Sequence, residues 1–268
     1  MLKKISGKVF YLSSKKLVFL IGTPRSGNTL LGSILNQNKK ICVTANSITF
    51  EVIHQIYQTK NNFIFHNFPD HESLDNVSKN VFNNYYEHWP QELIIERSPT
   101  ALTPGNARYF DYQNYKFIFL KRNILDIVKS LFKVYRSNGD PKSDLELGEE
   151  ILHNDFMLKK SILSILNGRK ILNKNQYIEI DYEELINSPN KAVENIYSFL
   201  NIDRFSHQFQ DLKQIEINGK TYDDEALAYC KNMHKIRTNT ITKEENKIEL
   251  PQILIDRSIE LNNLLSSQ

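Results

Sequence analysis

Residues 17–31 read LVFLIGTPRSGNTLL, and the rest of the predicted fold is arranged around them. The apolar run 17–21 predicts a buried strand, because it is short, continuous and followed by a turn signal. Gly22 and Gly27 bound the loop that follows, and apolar spacing predicts a helix over 28–36. A strand, a glycine loop and a helix in this order direct backbone N–H groups and the positive end of the helix at one point. The stretch therefore predicts an anion-binding loop.

The loop differs from the P-loop of ATP-hydrolysing enzymes in the position of its cation. In a P-loop, a lysine and then a serine or threonine follow the second glycine. Thr29 fits this pattern, whereas Asn28 replaces the lysine and the cation of the loop is Arg25. A later predicted strand ends in Lys121 and Arg122, and not in the acidic residue that would bind Mg²⁺. We therefore expect a phosphate site without a metal; a plain glycine turn with a solvated arginine is the alternative.

Short apolar segments alternate with helical periodicity along the rest of the chain. The further strands are predicted over residues 41–44, 93–95, 116–120 and 177–180. Helices are predicted over 124–135 and 191–200, with a last one from about residue 251. This alternation predicts the α/β class, a three-layer P-loop-like fold with a central parallel sheet and flanking helices. The polar and aromatic segment 60–92 is expected to form a helical cap insertion, and residues 1–268 a single domain.

Composition excludes several classes of function. The net charge of +3 is too small to indicate a nucleic-acid-binding protein. Cys42 and Cys230 form no zinc or redox spacing, and the pair His66 and His71 lacks a third ligand, so we predict no metal site. No stretch reaches the roughly 18 to 20 apolar residues that span a membrane. We therefore expect a cytoplasmic protein without a transmembrane segment or a nucleic-acid partner.

The loop sequence resembles that of a known enzyme family. Residues 24–30, PRSGNTL, match six of the seven positions of the 5′-phosphosulfate loop PRSGTTL in the PAPS-dependent sulfotransferases, including bacterial members related to the protein-tyrosine branch. The resemblance implies an enzyme that transfers a sulfuryl group from 3′-phosphoadenosine 5′-phosphosulfate (PAPS) to a hydroxyl, with no metal. It also implies that Arg25 is catalytic, at the bridging or sulfuryl oxygens. Asn28 replaces a threonine of the family and can still donate a hydrogen bond to phosphate. The residues that the resemblance assigns to the 5′-phosphosulfate are Thr23, Pro24, Arg25, Ser26, Gly27, Asn28, Thr29 and Leu30.

The same resemblance implies a second phosphate site, because PAPS carries a 3′-phosphate. The family places an arginine at a strand end and a serine eight residues later, and Arg122 and Ser130 match these positions. Tyr182 matches a tyrosine that lies near the adenine, and Lys235 and Arg237 lie in a stretch that resembles a basic loop closing over the nucleotide. An exposed strand–helix corner, a strand-end tyrosine and a solvated basic loop are the structural alternatives.

The general base is not evident from the sequence. The family spacing counted from Arg25 leads to Asn46, which cannot take a proton, so sulfation of protein tyrosine is not favoured. Glu51 and His54 are the nearest titratable residues and are taken as candidate catalytic groups. Arg97, at a strand end, is expected to contact the sulfuryl group or the substrate.

Three functions remain open from the sequence. The first is sulfuryl transfer to a hydroxyl-bearing acceptor, with a small molecule, sugar or lipid favoured over protein tyrosine. The second is a P-loop kinase of a small molecule, which would need ATP and Mg²⁺. The third is a nucleotide-binding protein without catalytic activity, since no base is identified.

Overall fold

A five-stranded parallel sheet forms the centre of the protein. The computed structural model describes residues 15–236, 241 and 246–267, together with the backbone of two short antiparallel strands, β1 (Lys4–Ile5) and β2 (Lys8–Val9). The sheet strands are β3 (Lys16–Gly22), β4 (Ile41–Val43), β5 (Leu93–Arg97), β6 (Lys116–Lys121) and β7 (Tyr177–Asp181). Their order is β4–β5–β3–β6–β7, and every neighbouring pair is parallel. The predicted parallel sheet is confirmed.

The central strand β3 contributes to a separate core on each face of the sheet. Phe19 and Ile21 lie in one buried cluster, whereas Val18 and Leu20 lie in the other. Successive side chains of a strand point to opposite faces, so a continuous apolar run is what a strand covered on both faces needs.

Helices cover both faces of this sheet. They are α1 (Asn28–Leu35), α2 (Thr49–Gln58), α3 (Phe63–Asn67), α4 (His71–Lys79), α5 (Val81–Tyr86), α6 (Pro104–Ala107), α7 (Ile124–Ser137), α8 (Asp144–Ile151), α9 (Met157–Ile171), α10 (Tyr182–Asn187), α11 (Pro189–Leu200) and α12 (Gln252–Ser266). Helices α1 and α11 pack on the face of Val18, and α7, α9 and α12 pack on the face of Phe19. The three-layer α/β class is therefore confirmed, and α3–α5 form the predicted helical insertion.

One strand extends beyond its predicted end. The apolar run ends at Ile95, but β5 continues to Arg97 because the Glu96 side chain is accommodated inside the protein. The hydroxyls of Thr49 and Ser98 both donate hydrogen bonds to the Glu96 carboxylate. This extension brings Arg97 to the carboxyl edge of the sheet, level with Leu20 of β3.

Residues 201–236, here named the C-terminal segment, are mostly irregular, with a short 3₁₀ turn at Asp224–Ala226. Leu212 and Ile215 are buried within the protein and attach this segment to the cores near β3 and β4. The end of the segment lies across the carboxyl edge of the sheet, where it lines the cavity described below.

Candidate active site

The loop between β3 and α1 has the backbone conformation of an anion-binding turn. Gly27 has φ 91°, and a Cβ there would lie 3.0 Å from the ring of Tyr182, so both the backbone angle and the space favour glycine. Arg25 also adopts a positive φ of 59°, which is uncommon for a residue with a side chain. Strained backbone of this kind is concentrated at functional sites. The loop leads directly into α1, so the N–H groups of the first helical turn lie at the site.

The side chain of Asn28 makes hydrogen bonds within the loop. Its amide Nδ2 donates to the carbonyl oxygen of Thr23 at 2.8 Å, and the residue is only 4% exposed. A Cβ on Gly22 would lie 1.7 Å from Asn28 Oδ1, so the glycine makes room for this inward orientation. In this structure the Asn28 amide nitrogen bonds within the loop, and the predicted hydrogen bond from its side chain to phosphate stays a prediction.

A cavity of about 1000 Å³ lies at the carboxyl edge of the sheet. Residues that follow each of the five strands line it, as expected for a ligand site of a parallel α/β sheet. From the sequence-predicted set, its lining includes Pro24, Arg25, Gly27, Asn28, Thr29, Leu30, Arg97, Arg122, Ser130, Tyr182 and Lys235. Most of the predicted site is thus brought to one place.

Arg122 is the strand-end cation that faces this cavity. Its Nη1 donates to the carbonyl oxygen of Arg25 at 2.9 Å, and its guanidinium lies 4.2 Å from the ring centre of Tyr182. Its Nε is buried without a hydrogen-bond partner among the described residues. The neighbouring Lys121 is instead paired with Glu179, at 2.5 Å. Of the two basic residues at this strand end, Arg122 is the one positioned for an anionic ligand.

Arg25 connects the loop to two other parts of the cavity wall. Its Nε donates to Ser130 Oγ on α7 at 3.1 Å. Its Nη1 donates to the carbonyl oxygen of Met233 in the C-terminal segment at 2.5 Å. The two predicted phosphate sites and the C-terminal segment therefore meet at one guanidinium.

Several predicted residues lie outside the cavity lining. Thr23 and Ser26 are fully buried behind the loop, where Ser26 Oγ donates to the Thr23 carbonyl oxygen at 2.6 Å. Glu51 and His54 make hydrogen bonds along the surface of α2, to Gln55 and Gln58 respectively. Helix α2 turns other side chains toward the site, so the structure does not bring Glu51 or His54 to it.

Lys235 and Arg97 lie at the cavity. Lys235 is exposed at the cavity, and Arg237 lies outside the described residues. Arg97 lines the cavity, and its Nη1 donates to the hydroxyl of Tyr222 at 2.9 Å. The roles predicted for these residues stay predictions.

The C-terminal segment brings to the cavity a group of residues that was not predicted from the sequence. His234 lies on the cavity wall, and its ring stacks on Tyr222 with centres 4.0 Å apart and planes at 5°. Its Nδ1 lies 2.6 Å from the Asp224 carboxylate. His234 directly precedes Lys235 in the stretch that resembles a basic loop, and a pairing with an aspartate ten residues earlier in an irregular segment has no recognisable sequence spacing.

Glu96 is a second missed residue, and it lies beneath the site. Burial raises the pKa of its carboxyl, against the lowering effect of hydrogen bonds from Thr49 and Ser98. Ser98 lines the cavity, so this buried carboxyl is one hydrogen bond away from the cavity wall. In the sequence, the buried position of Glu96 is indicated only by its place directly after the apolar residues of a strand.

The described residues form neither a metal-binding cluster nor a membrane-spanning helix. Within residues 15–236 and 246–267, no cluster of three or more histidine, cysteine, aspartate and glutamate side chains has a metal-binding arrangement. In the same part of the chain, no helix is both long and apolar enough to cross a membrane.

Comparison with known proteins assigns the family. The family model described as "Sulfotransferase family" matches residues 18–207, which include the loop, Arg122 and Ser130. The chain belongs to this family. Membership makes it a transferase enzyme. A search of curated proteins gave no match.

Solved sulfotransferase structures share the fold. The sulfotransferase domain from the curacin biosynthetic pathway is 19% identical with a TM-score of 0.62, and the alignment covers 94% of this chain and 98% of that one. The domain from the Synechococcus PCC 7002 olefin synthase is 15% identical with a TM-score of 0.54, covering 94% and 95%. The mouse sulfotransferase SULT7A1, solved with PAP, is 17% identical with a TM-score of 0.55, covering 99% of both chains. At these identities the likeness shows the fold.

Proposed function

We propose that this sulfotransferase uses PAPS as its donor and transfers the sulfuryl group to a hydroxyl of an acceptor with an apolar body. The observation that carries the proposal is that two groups of residues suited to binding anions line the same cavity. The β3–α1 loop forms the first, and Arg122 with Ser130 forms the second. A nucleotide with phosphates at both the 5′ and 3′ positions needs two such subsites, whereas ATP does not.

The order of the strands separates donor and acceptor sides of the cavity. Strand β3 stands in the middle, with β6 and β7 on one side and β4 and β5 on the other. Arg122 and Tyr182 follow β6 and β7, so the 3′-phosphate and the adenine would lie on that side. The unpartnered Arg122 Nε supports this fit, because a buried guanidinium N–H without a partner favours an anion.

The acceptor would lie on the side of β4 and β5. Phe50 on α2 and Arg97, Ser98 and Pro99 after β5 line the cavity there. Phe156 and Met157, at the start of α9, add apolar surface to the same cavity. An apolar wall with a few polar groups suits a hydroxyl carried on an aromatic or aliphatic body better than a sugar.

Arg25 stands where the two sides meet. In the proposed reaction, PAPS supplies an activated sulfuryl group whose departure leaves negative charge on the 5′-phosphate. Arg25 and the loop N–H groups would stabilise that charge, which is the main catalytic contribution in transfers of this type. No metal is needed for this role.

The proposal is tested by ligand choice. Thermal unfolding is measured with 3′-phosphoadenosine 5′-phosphate (PAP), ADP, AMP and Mg-ATP, each with and without EDTA. PAP should raise the melting temperature most, because its 5′- and 3′-phosphates occupy both subsites, and EDTA should have no effect. A ligand at 100 times its Kd stabilises the folded state by about 2.7 kcal/mol. Equal stabilisation by Mg-ATP and its loss with EDTA would contradict the proposal and favour a kinase.

A further inference from the structure

His234 is held in one orientation by Asp224. The Nδ1 of His234 lies 2.6 Å from Asp224 Oδ1, and the backbone N–H of His234 donates to Asp224 Oδ2 at 2.8 Å. One carboxylate thus fixes both the ring and the backbone of the same residue. A carboxylate acceptor at Nδ1 places the proton of a neutral imidazole on that nitrogen and leaves Nε2 as the proton-accepting atom.

The ring of His234 is also fixed by stacking. Tyr222 lies parallel to it at 4.0 Å, and the Tyr222 hydroxyl accepts a hydrogen bond from Arg97 at 2.9 Å. Arg97 follows β5, so the stack connects the histidine to the side of the cavity assigned to the acceptor. His234 is only 7% exposed, and its orientation does not depend on solvent.

His234 lies in the cavity wall next to the residue that Arg25 contacts. It follows Met233, whose carbonyl oxygen accepts from Arg25, and it is a lining residue of the cavity. The imidazole lies close enough to two of the arginines that line the cavity, Arg25 from the β3–α1 loop and Arg97 from β5, to interact with their charges. This is where donor and acceptor would meet.

We propose that His234 is the general base of the transfer and that Asp224 is its positioning residue. The inference rests on the proposed function, and it supplies the group that neither Glu51 nor His54 provides. An acceptor hydroxyl loses its proton to Nε2 of His234 as its oxygen forms the new O–S bond. The S–O bond to the 5′-phosphate breaks with its electron pair on the phosphate oxygen. The products are the sulfate ester, PAP and one proton, which His234 then releases to water.

The charges around His234 favour the neutral base at physiological pH. Burial and the nearby Arg97 hold the pKa of its imidazole below the ordinary value, Arg25 acts in the same direction, and the Asp224 carboxylate opposes them. Tyr222 is the other titratable group against the ring, and burial raises the pKa of its phenol, so it stays neutral. A histidine with a lowered pKa remains unprotonated at pH 7 and can accept a proton.

The first experiment examines the imidazole without any turnover. In ¹⁵N-labelled protein, the His234 signals are assigned by their loss in His234→Gln and are followed from pH 5 to 8. We expect the Nδ1–H tautomer and a titration midpoint below the ordinary value for a histidine side chain. Asp224→Asn should alter the tautomer balance or the midpoint. An Nε2–H tautomer, or a fully protonated ring at pH 7, would overturn the assignment.

The second experiment separates catalysis from binding. Release of PAP from PAPS is measured with water and with 2-naphthol as acceptors, and the Kd of PAP is measured on the same variants. His234→Gln should lower the transfer rate by about 10² to 10³-fold and change the Kd of PAP by less than threefold. Asp224→Asn should lower the rate by about tenfold or more and shift the pH profile. The half-buried His207, which bonds to Tyr197, gives the matched control, and His207→Gln should keep the wild-type rate.

The outcomes distinguish the two proposals. In wild type the rate should rise with pH through the His234 midpoint, and this step should disappear in His234→Gln. A wild-type rate and pH profile in His234→Gln would overturn the base assignment while leaving PAPS use intact. A rate loss matched by an equal loss of PAP binding would make His234 a nucleotide contact and overturn it as well. Failure of the wild type to bind PAP would instead remove the proposed function itself.

Discussion

The Nε of Arg25 donates to the Oγ of Ser130 at 3.1 Å, although the two residues are 105 positions apart. Arg25 belongs to the loop assigned to the 5′-phosphosulfate, and Ser130 belongs to the helix assigned to the 3′-phosphate. In this structure, the guanidinium of Arg25 and the hydroxyl of Ser130 are therefore hydrogen-bonded to each other. A ligand with both phosphates would exchange this bond for stronger charge-assisted ones.

Arg122→Ala should weaken PAP binding by about 2 to 3 kcal/mol, the scale of a lost hydrogen bond to a charged group. Ser130→Ala should cost about 1 kcal/mol, because a hydroxyl is a neutral donor. Isothermal titration with PAP and with AMP measures both. The losses should be smaller for AMP, which lacks the 3′-phosphate, and the exposed Arg204→Ala serves as the charge-matched control. Equal losses for the two nucleotides would show that Arg122 does not recognise the 3′-phosphate.

Arg25→Ala should slow sulfuryl transfer by about 10² to 10³-fold, the effect of removing one donor that stabilises charge in the transition state. PAP affinity should fall less, because the loop amides and the start of α1 remain. Arg25→Lys should keep part of the activity, since lysine offers a point charge in place of a planar fork. The assay follows PAP release from PAPS. Identical rates for wild type and Arg25→Ala would leave the chain with nucleotide binding alone.

Gly22→Ala should destabilise the protein by about 1 to 3 kcal/mol, the usual cost of overpacking. The new methyl group would meet Asn28 Oδ1 and push the side chain away from the Thr23 carbonyl oxygen. Asn28→Ala alone should cost about 1 kcal/mol, the value of one hydrogen bond. The double variant should lose less free energy of unfolding than the two single variants lose together, because the new methyl group no longer meets the Asn28 side chain. Urea unfolding measures the cycle, and strict additivity would contradict this packing.

Glu96→Gln should change how stability depends on pH. The folded-state pKa of Glu96 is raised by burial, so between its unfolded and folded pKa values the folded protein binds more protons than the unfolded chain. The stabilisation that Glu96 contributes to the folded protein is therefore fully present below the unfolded-state pKa and is lost as pH rises through the folded-state pKa. Relative to wild type, Glu96→Gln should gain stability as pH increases from 4 to 7.5 in urea unfolding. The exposed Glu72→Gln is the control, and a parallel pH dependence in wild type and Glu96→Gln would contradict the prediction.

The sequence itself determined the elements whose signals are local. The apolar run before Gly22, the glycine at Gly27 and the spacing of α1 specify a strand, a positive-φ turn and a helix from neighbouring residues alone. The parallel sheet follows because strands and helices alternate. Arg122 and Ser130 were matched to the 3′-phosphate site through the family resemblance, which can be applied because both residues lie in one strand–helix corner, and their role stays a prediction.

Tertiary structure decided which side chains complete the site. Glu51 and His54 carry suitable chemistry, but the face of α2 that packs inward determines that neither reaches the cavity. His234 and Asp224 come from an irregular segment, where no periodicity relates one residue to the next. Their contact exists because residues 201–236 pack back over the sheet edge, and long-range packing of this kind leaves no local pattern in the sequence.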